Sequence, residues 1–294
     1  MKRSYVPGLV DVVAVDDPAE IRQLVNSKQL DRRFDRFWPI LNGFLLCKIT
    51  KTLSFNNRRF PTLLPSGDQE RSSAQDELWN RLNLQVRELT PANRDVRDLA
   101  TWVKGMKTSV DVGVLAQQAV GRLFDPQYKA DAESWEAAQI LGQAPKTKGF
   151  EAIVLRLSGK VMNAKELLAS KVEGDRAGIH GTGVAIHNLV KGFHRMQFIF
   201  RDRALRAGFD SERIVHECLF APEMILRQAI ENGNSSGCPF KRGTVFLLQL
   251  GKGHEYPDTE DLIFLDATWS RCPAEQWIPA LLRAVWECAN DESY

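Results

Sequence analysis

The chain has 294 residues, 44% of them hydrophobic and 26% charged, and a formal net charge of +2. Those are the proportions of a soluble globular protein, with chain enough for one large core or two ordinary ones. So small a charge argues against nucleic acid or an acidic membrane as the main partner. The five cysteines (Cys47, Cys218, Cys238, Cys272 and Cys288) are widely spaced with no C-x-x-C pair, which points away from a disulfide framework or zinc site and toward a reducing, cytoplasmic compartment.

The segment from Met1 to Gly8 has no signal-peptide core, and no later stretch is apolar over the length of a bilayer span. Val10 to Val15 reads as a short strand; Asp16-Asp17-Pro18 then supplies a cap and an early proline for a helix through Val25. Residues 26–65 read as irregular, with Phe44-Leu45-Leu46-Cys47 expected in the core. The basic clusters Asp31-Arg32-Arg33 and Asn57-Arg58-Arg59 read as solvated faces. Helical spacing resumes at about Asp68 and runs past Leu82, then recurs over Val96 to Val103, Asp111 to Phe124, Ala132 to Leu141 and Phe150 to Leu157. Gly181 to Phe200 predicts a long helix with apolar positions at Val184, Leu189, Phe193 and Met196. Gly237 to Leu248 predicts a strand, a Lys-Arg-Gly turn and a second strand. With no repeat and no Gly/Ser linker, residues 1–294 read as a single domain.

The run Trp269-Ser270-Arg271-Cys272-Pro273-Ala274-Glu275 sets one cysteine in a Pro-containing turn ahead of the amphipathic stretch Gln276 to Cys288. A helix N-terminus and a neighbouring guanidinium both favour thiolate over thiol, and a thiolate so held can ligate a heme iron. A buried structural cysteine is the other reading of the same residue. The run resembles the heme-binding loop of the cytochrome P-450 superfamily, most nearly its fatty-acid peroxygenase branch, whose loop reads Gly-His-Arg-Cys-Pro-Gly-Glu. Trp269, Ser270 and Ala274 replace the Gly, His and second Gly. The stretch from Gly237 to Leu248 is similar to the superfamily's Gly-x-x-Ile-Pro-Lys-Gly-Thr hairpin, and Val184 to Gly192 resembles the peroxygenase helix Glu-Leu-x-Asn-x-Leu-Arg-Pro.

The resemblance implies a mostly α fold with a small β-sheet, a compressed cytochrome P-450-like domain, with heme b ligated through iron by Cys272. It implies that Arg71 and Arg227 meet the heme propionates, and that Arg271 tunes the thiolate or contacts a propionate. Lys191, at the arginine place of the peroxygenase helix, would hold a substrate carboxylate, with the charge but not the bidentate fork of arginine. His187 or His194 would serve a distal pocket as a proton donor or sixth ligand, whereas His180, His187 and His194, seven residues apart, lie too far from one another to share a metal ion. Glu217 opens a Glu-x-x-Arg helix whose arginine is replaced by Phe220, so a buried carboxylate without its partner is expected unless it is exposed or paired elsewhere. The expected activity is that of a peroxygenase or monooxygenase on a small apolar or carboxylate-bearing molecule, in a chain that can complete its pocket as a homodimer. The alternative is a heme-free scaffold of the same ancestry, acting as a non-oxidative enzyme or a partner-binding protein.

Overall fold

The computed structural model describes residues 1–106, 109–147, 151, 154–155, 157–235, 237–251, 260–266 and 268–291. The chain opens with β1 (Lys2–Val6), β2 (Val10–Val15), α1 (Pro18–Val25), β3 (Leu30–Asp31), α2 (Ile40–Thr52), β4 (Ser54–Phe55), β5 (Arg58–Arg59) and a 3-10 turn at Pro61–Leu63. Helices follow: α3 (Gln69–Val86), α4 (Arg94–Val103), α5 (Val112–Gly121), α6 (Ala132–Gln143), α7 (Lys160–Lys171) and α8 (Arg176–His180). A π-helical turn (Gly181–Ala185) leads into α9 (Ile186–Arg201), α10 (Arg203–Arg206) and α11 (Ser211–Cys218). The remainder is β6 (Ile225–Ala229), β7 (Gly233–Ser235), β8 (Cys238–Phe240), β9 (Val245–Leu248), α12 (Glu260–Phe264) and α13 (Trp277–Asn290). Helix dominates, as expected. The chain divides into two compact units, 1–75 with 221–272, and 76–220 with 273–294.

In the first unit a five-stranded sheet runs β1-β2-β9-β6-β3, parallel only between β2 and β9. The valines of β2 alternate, so Val13 and Val15 are buried with Phe246 and Leu248 of β9 against Ile21, Leu24 and Val25 of α1. Asp17 caps α1 through Glu20 N at 2.8 Å, and Pro18 takes the first turn, where no amide hydrogen is needed. Asn42 of α2 fastens that helix to the sheet, donating to Asp11 O and Gly243 O and accepting from Asp11 N.

Two expectations for this unit change. The segment 26–65 contains a 13-residue helix, α2. It escaped the periodicity reading because both of its faces are apolar: Leu46 and Ile49 are buried while Phe44 is 70% exposed, so only part of the Phe44–Cys47 run is core. The two strands around Lys241-Arg242-Gly243 do form, with Gly243 at φ 96° in the turn, but they pair elsewhere: β8 with β7, and β9 with β6 and β2.

In the second unit, side-chain caps start the helices where the sequence placed them. Asn93 caps α4, Asp111 caps α5, and Asp131 with Ser134 makes a reciprocal capping box on α6. Helix α13 packs on α4 and α11, and α9 packs on α4, α5 and α11. The helix expected over 150–157 falls largely on residues outside those described, and α7 was not anticipated. The long central helix begins earlier than Gly181, at Arg176, and passes through the π-helical turn. Such a turn frees a main-chain carbonyl. Here the fully buried Gln117 answers it, donating to Thr182 O at 3.0 Å and Ser134 O at 2.9 Å while accepting from Ser134 Oγ at 2.7 Å.

Candidate functional site

Four segments of the first unit come together around Cys272, the loop that carries it among them. The first is the end of β3. Asp31 is buried and accepts from Arg32 N at 2.6 Å, Ser66 N at 2.9 Å and Ser66 Oγ at 3.1 Å. Its Arg32 neighbour is buried as well, and its guanidinium donates to Thr62 O. The second is the opening of α3, where Arg71 is buried and its Nη1 donates to the carbonyls of Pro61 (3.2 Å), Thr62 (3.2 Å) and Leu64 (3.5 Å). Its Nη2 reaches Trp269 O at 3.2 Å, and one turn on Gln75 Nε2 donates to Arg271 O at 2.9 Å.

The third segment is β6. Arg227 sits in the middle of the sheet opposite Phe246, fully buried, donating from Nη2 to Ser270 Oγ at 2.6 Å and from Nη1 to Leu226 O at 3.0 Å. The fourth is the loop itself. Thr268 Oγ1 accepts from Ser270 N, and Cys272 N donates to Phe264 O at 2.7 Å. Cys272 is half-buried. The Trp269 ring is the common neighbour of the cations: the Cζ atoms of Arg71 and Arg227 lie 4.8 Å from its centroid and that of Arg32 lies 5.4 Å away.

Three buried guanidiniums thus face one buried carboxylate, Asp31. Burial pushes the Arg227 guanidinium down to about 9, helped by Arg71 and opposed by Asp31. Burial also lowers Arg71 to about 10, with Asp31 and Asp68 working the other way. Arg32 is lowered well below its ordinary value by burial, then by Arg227 and Arg71, against Asp31. The Nε atoms of Arg71 and Arg227, with Thr62 Oγ1 and Gln228 Oε1, are buried and without a hydrogen-bond partner. A surplus of buried positive charge with donors left over is costly on its own and is the chemistry of an anion site.

The sequence placed Arg71 and Arg227 at this site and the structure buries both beside the cysteine loop. It missed Arg32. The Asp31-Arg32-Arg33 cluster, read as a solvated face, splits instead: Asp31 and Arg32 turn inward and Arg33 stays exposed. Nothing local could have shown this, because Arg32 meets a tryptophan more than 200 positions away. Arg271 is half-buried; it gives its carbonyl to Gln75, and its charge opposes the rise that burial imposes on the Asp266 carboxyl.

The other two predicted residues belong to α9 in the second unit. Lys191 lies exposed. The His187 imidazole packs at 5.4 Å on the Trp135 ring and over Gly142, where a Cβ would stand 2.2 Å from Nε2. Nε2 is 2.9 Å from Ala138 O and must donate to it, since a carbonyl only accepts. Burial lowers the His187 pKa, and Lys146 and Lys191 add to that against the main-chain hydrogen bonds to Ala138 and Gly183, so the ring is neutral near pH 7. Glu217 is not stranded by the change to Phe220: it is part-exposed and pairs with Arg195 at 2.9 Å.

No family profile and no curated protein sequence matches the chain. Solved structures do. Ligand-free cytochrome P-450 OleT superposes with a TM-score of 0.60 at 11% identity, over 95% of this chain and 80% of that one. A variant of OleT in complex with arachidonic acid gives 0.60 at 10% identity over the same shares, 95% and 80%. CYP175A1 from Thermus thermophilus gives 0.60 at 11% identity over 96% and 82%. A variant of cytochrome P-450SP alpha gives 0.56 at 12% identity over 95% and 82%. The chain therefore has the cytochrome P-450 fold, in a shortened form.

Proposed function

We propose that this protein is a heme-thiolate oxidoreductase of the peroxygenase or monooxygenase type, in which Cys272 would ligate the iron of heme b. The observation that carries the reading is the buried arginine cluster laid on the cysteine loop, in a chain of this fold. A heme brings two carboxylates; the cluster has a surplus of two positive charges over Asp31 and two unpartnered buried Nε donors, so the residues present fit the group. Arg32, Arg71 and Arg227 would hold those carboxylates. Bound there, heme supplies iron chemistry in which thiolate electron donation favours cleavage of an O–O bond.

The chain's own residues do the positioning. Arg71, Gln75 and Arg227 fix the loop through Trp269 O, Arg271 O and Ser270 Oγ, so that Cys272 is presented from a braced turn. Lys191, at the arginine place of the peroxygenase helix, would hold the carboxylate of a small apolar or carboxylate-bearing substrate. His187, neutral and engaged by Ala138, supports α9 rather than delivering a proton. Reconstitution with hemin tests the reading. The reduced, carbon-monoxide-bound protein should show the red-shifted Soret band of a thiolate-ligated heme, lost in Cys272→Ala. Protein that stays colourless after heme supplementation overturns it.

A second reading, the heme-free scaffold, has one observation in its favour. The Nη groups of Arg71 and Arg227 already reach protein acceptors, so the loop is braced without a ligand. A pyridine hemochrome assay on protein from heme-supplemented cells separates the two.

A further inference from the structure

The second unit carries an open cavity of about 580 Å³ at the end of its central helix, lined by His194, Gln197, Phe198, Arg201, Asp202 and Arg203. The first four stand three or four positions apart on α9 and so share one face of it. The floor is fixed. Gln197 is buried and its Nε2 donates to Trp102 O at 2.8 Å, while the His194 and Trp102 rings make a T-shaped contact at 5.4 Å. Helix α4 closes its own C-terminus, with Gly105 at φ 78° and main-chain hydrogen bonds from Gly105 N to Trp102 O and from Met106 N to Thr101 O. Arg201 lies across that glycine, where a Cβ would stand 3.7 Å from its Nη2. At Asp202 the chain leaves the helix. The Asp202 carboxylate caps α10 through Ala204 N (2.9 Å) and Leu205 N (3.1 Å), and Arg203 comes onto the same cavity.

The lining suits a ligand with two unlike ends. Arg201 and Arg203 are both exposed, and among the described residues neither guanidinium has a hydrogen bond or an ion pair. Nearby Arg195, by contrast, is paired with Glu217 at 2.9 Å. From Gly181 to Arg201 the chain carries no acidic residue, and Asp202, the one carboxylate in the lining, has its Oδ1 committed to two amides. The cavity therefore presents an excess of positive charge. Two open guanidinium forks favour a phosphate over a single carboxylate, because a phosphate monoester offers three strong acceptor oxygens and a charge of about −1.5 to −2. Beside them Phe198 is 58% exposed, and a phenyl face next to an imidazole suits a flat ring. A lone exposed arginine or phenylalanine is ordinary. Two cations and two rings on one cavity are not, where small-molecule sites run to about 300–1,000 Å³. We propose that this cavity binds a nucleoside phosphate, with the base on Phe198 and His194, the phosphate oxygens on Arg201 and Arg203, and a sugar hydroxyl donating to the Asp202 carboxylate. Nothing in this site depends on heme.

Isothermal titration calorimetry of the full chain with ADP tests the proposal, with adenosine and inorganic phosphate as the two half-ligands. ADP should bind with a dissociation constant below about 1 mM, at least about tenfold more tightly than either half. Its binding should weaken as salt rises from about 0.1 to about 0.5 M. Arg201→Ser and Arg203→Ser should each lose about tenfold in ADP affinity and leave adenosine as it was. Phe198→Ser should lose at least about fivefold for ADP and leave inorganic phosphate as it was. These exposed changes should not move the circular dichroism spectrum or the thermal midpoint. ADP that binds the three variants as it binds the wild type has gone to another site, such as the arginines of the first unit, and overturns the proposal. So does an absence of binding at about 5 mM ADP, and so does inorganic phosphate that matches ADP, since the base then has no place.

Discussion

Replacing Arg227 by methionine separates an anion-holding arginine from a structural one. The guanidinium is fully buried and its pKa is pushed down to about 9 from 12.5. At 1.36 kcal/mol per unit, that drop corresponds to about 5 kcal/mol of cost for keeping the charge inside the heme-free protein. Against it stand the charged hydrogen bonds to Ser270 Oγ and Leu226 O, about 1.5–3 kcal/mol each, and the contact with the Trp269 ring, about 1–2 kcal/mol. The two sides cancel to within about 3 kcal/mol, so Arg227→Met should change the urea-unfolding free energy of the heme-free protein by no more than that. Hemin binding should suffer far more. Truncating one side of a buried charge pair costs about 2–5 kcal/mol, which is a loss of about thirtyfold to several thousandfold in affinity, read by absorbance titration. A heme-free variant destabilised by more than about 4 kcal/mol, with hemin affinity unchanged within about threefold, would refute the argument and leave Arg227 a packing residue.

Lys165 gives a pH test. It is buried in α7 and burial pushes its pKa down to about 8 from 10.5, so the unfolded chain holds the extra proton between those values and stability rises with pH across that window. Lys165→Met should remove up to about 3 kcal/mol of that slope and raise stability at pH 7; unfolding curves of the two proteins at pH 7 and pH 10 that run parallel would count against it. Gln117→Leu leaves the Thr182 and Ser134 carbonyls without their donor at the π-helical turn and should cost about 2–4 kcal/mol in chemical denaturation. Glu217→Gln should cost under about 1 kcal/mol, because its pair with Arg195 is part-exposed and solvent screens it; a larger loss would mean that Glu217 serves a wider network.

What the sequence determined by itself was short-range. The valine alternation of β2, the Asp17-Pro18 start of α1, the periodic stripes of α4, α5, α6 and α9 and the turn around Cys272 all depend on neighbours within a few positions, where side-chain spacing and capping chemistry decide the outcome. The shortened cytochrome P-450 fold was legible for a related reason: the cysteine loop and the Lys-Arg-Gly turn occur in the right order. The tertiary structure decided which charges go inside. Arg32 and Arg33 are adjacent and alike in composition, yet one is buried against Trp269 while the other stays exposed and pairs with Asp31 at 3.5 Å, because the chain leaving β3 turns only one of them toward the loop. It also decided that α2 is a helix and that Gln117 answers the π-helical turn. Each of these rests on groups that meet only after the chain has folded. The free energy of burying a charge or exposing a phenylalanine is fixed by those distant partners and not by the residues next to it.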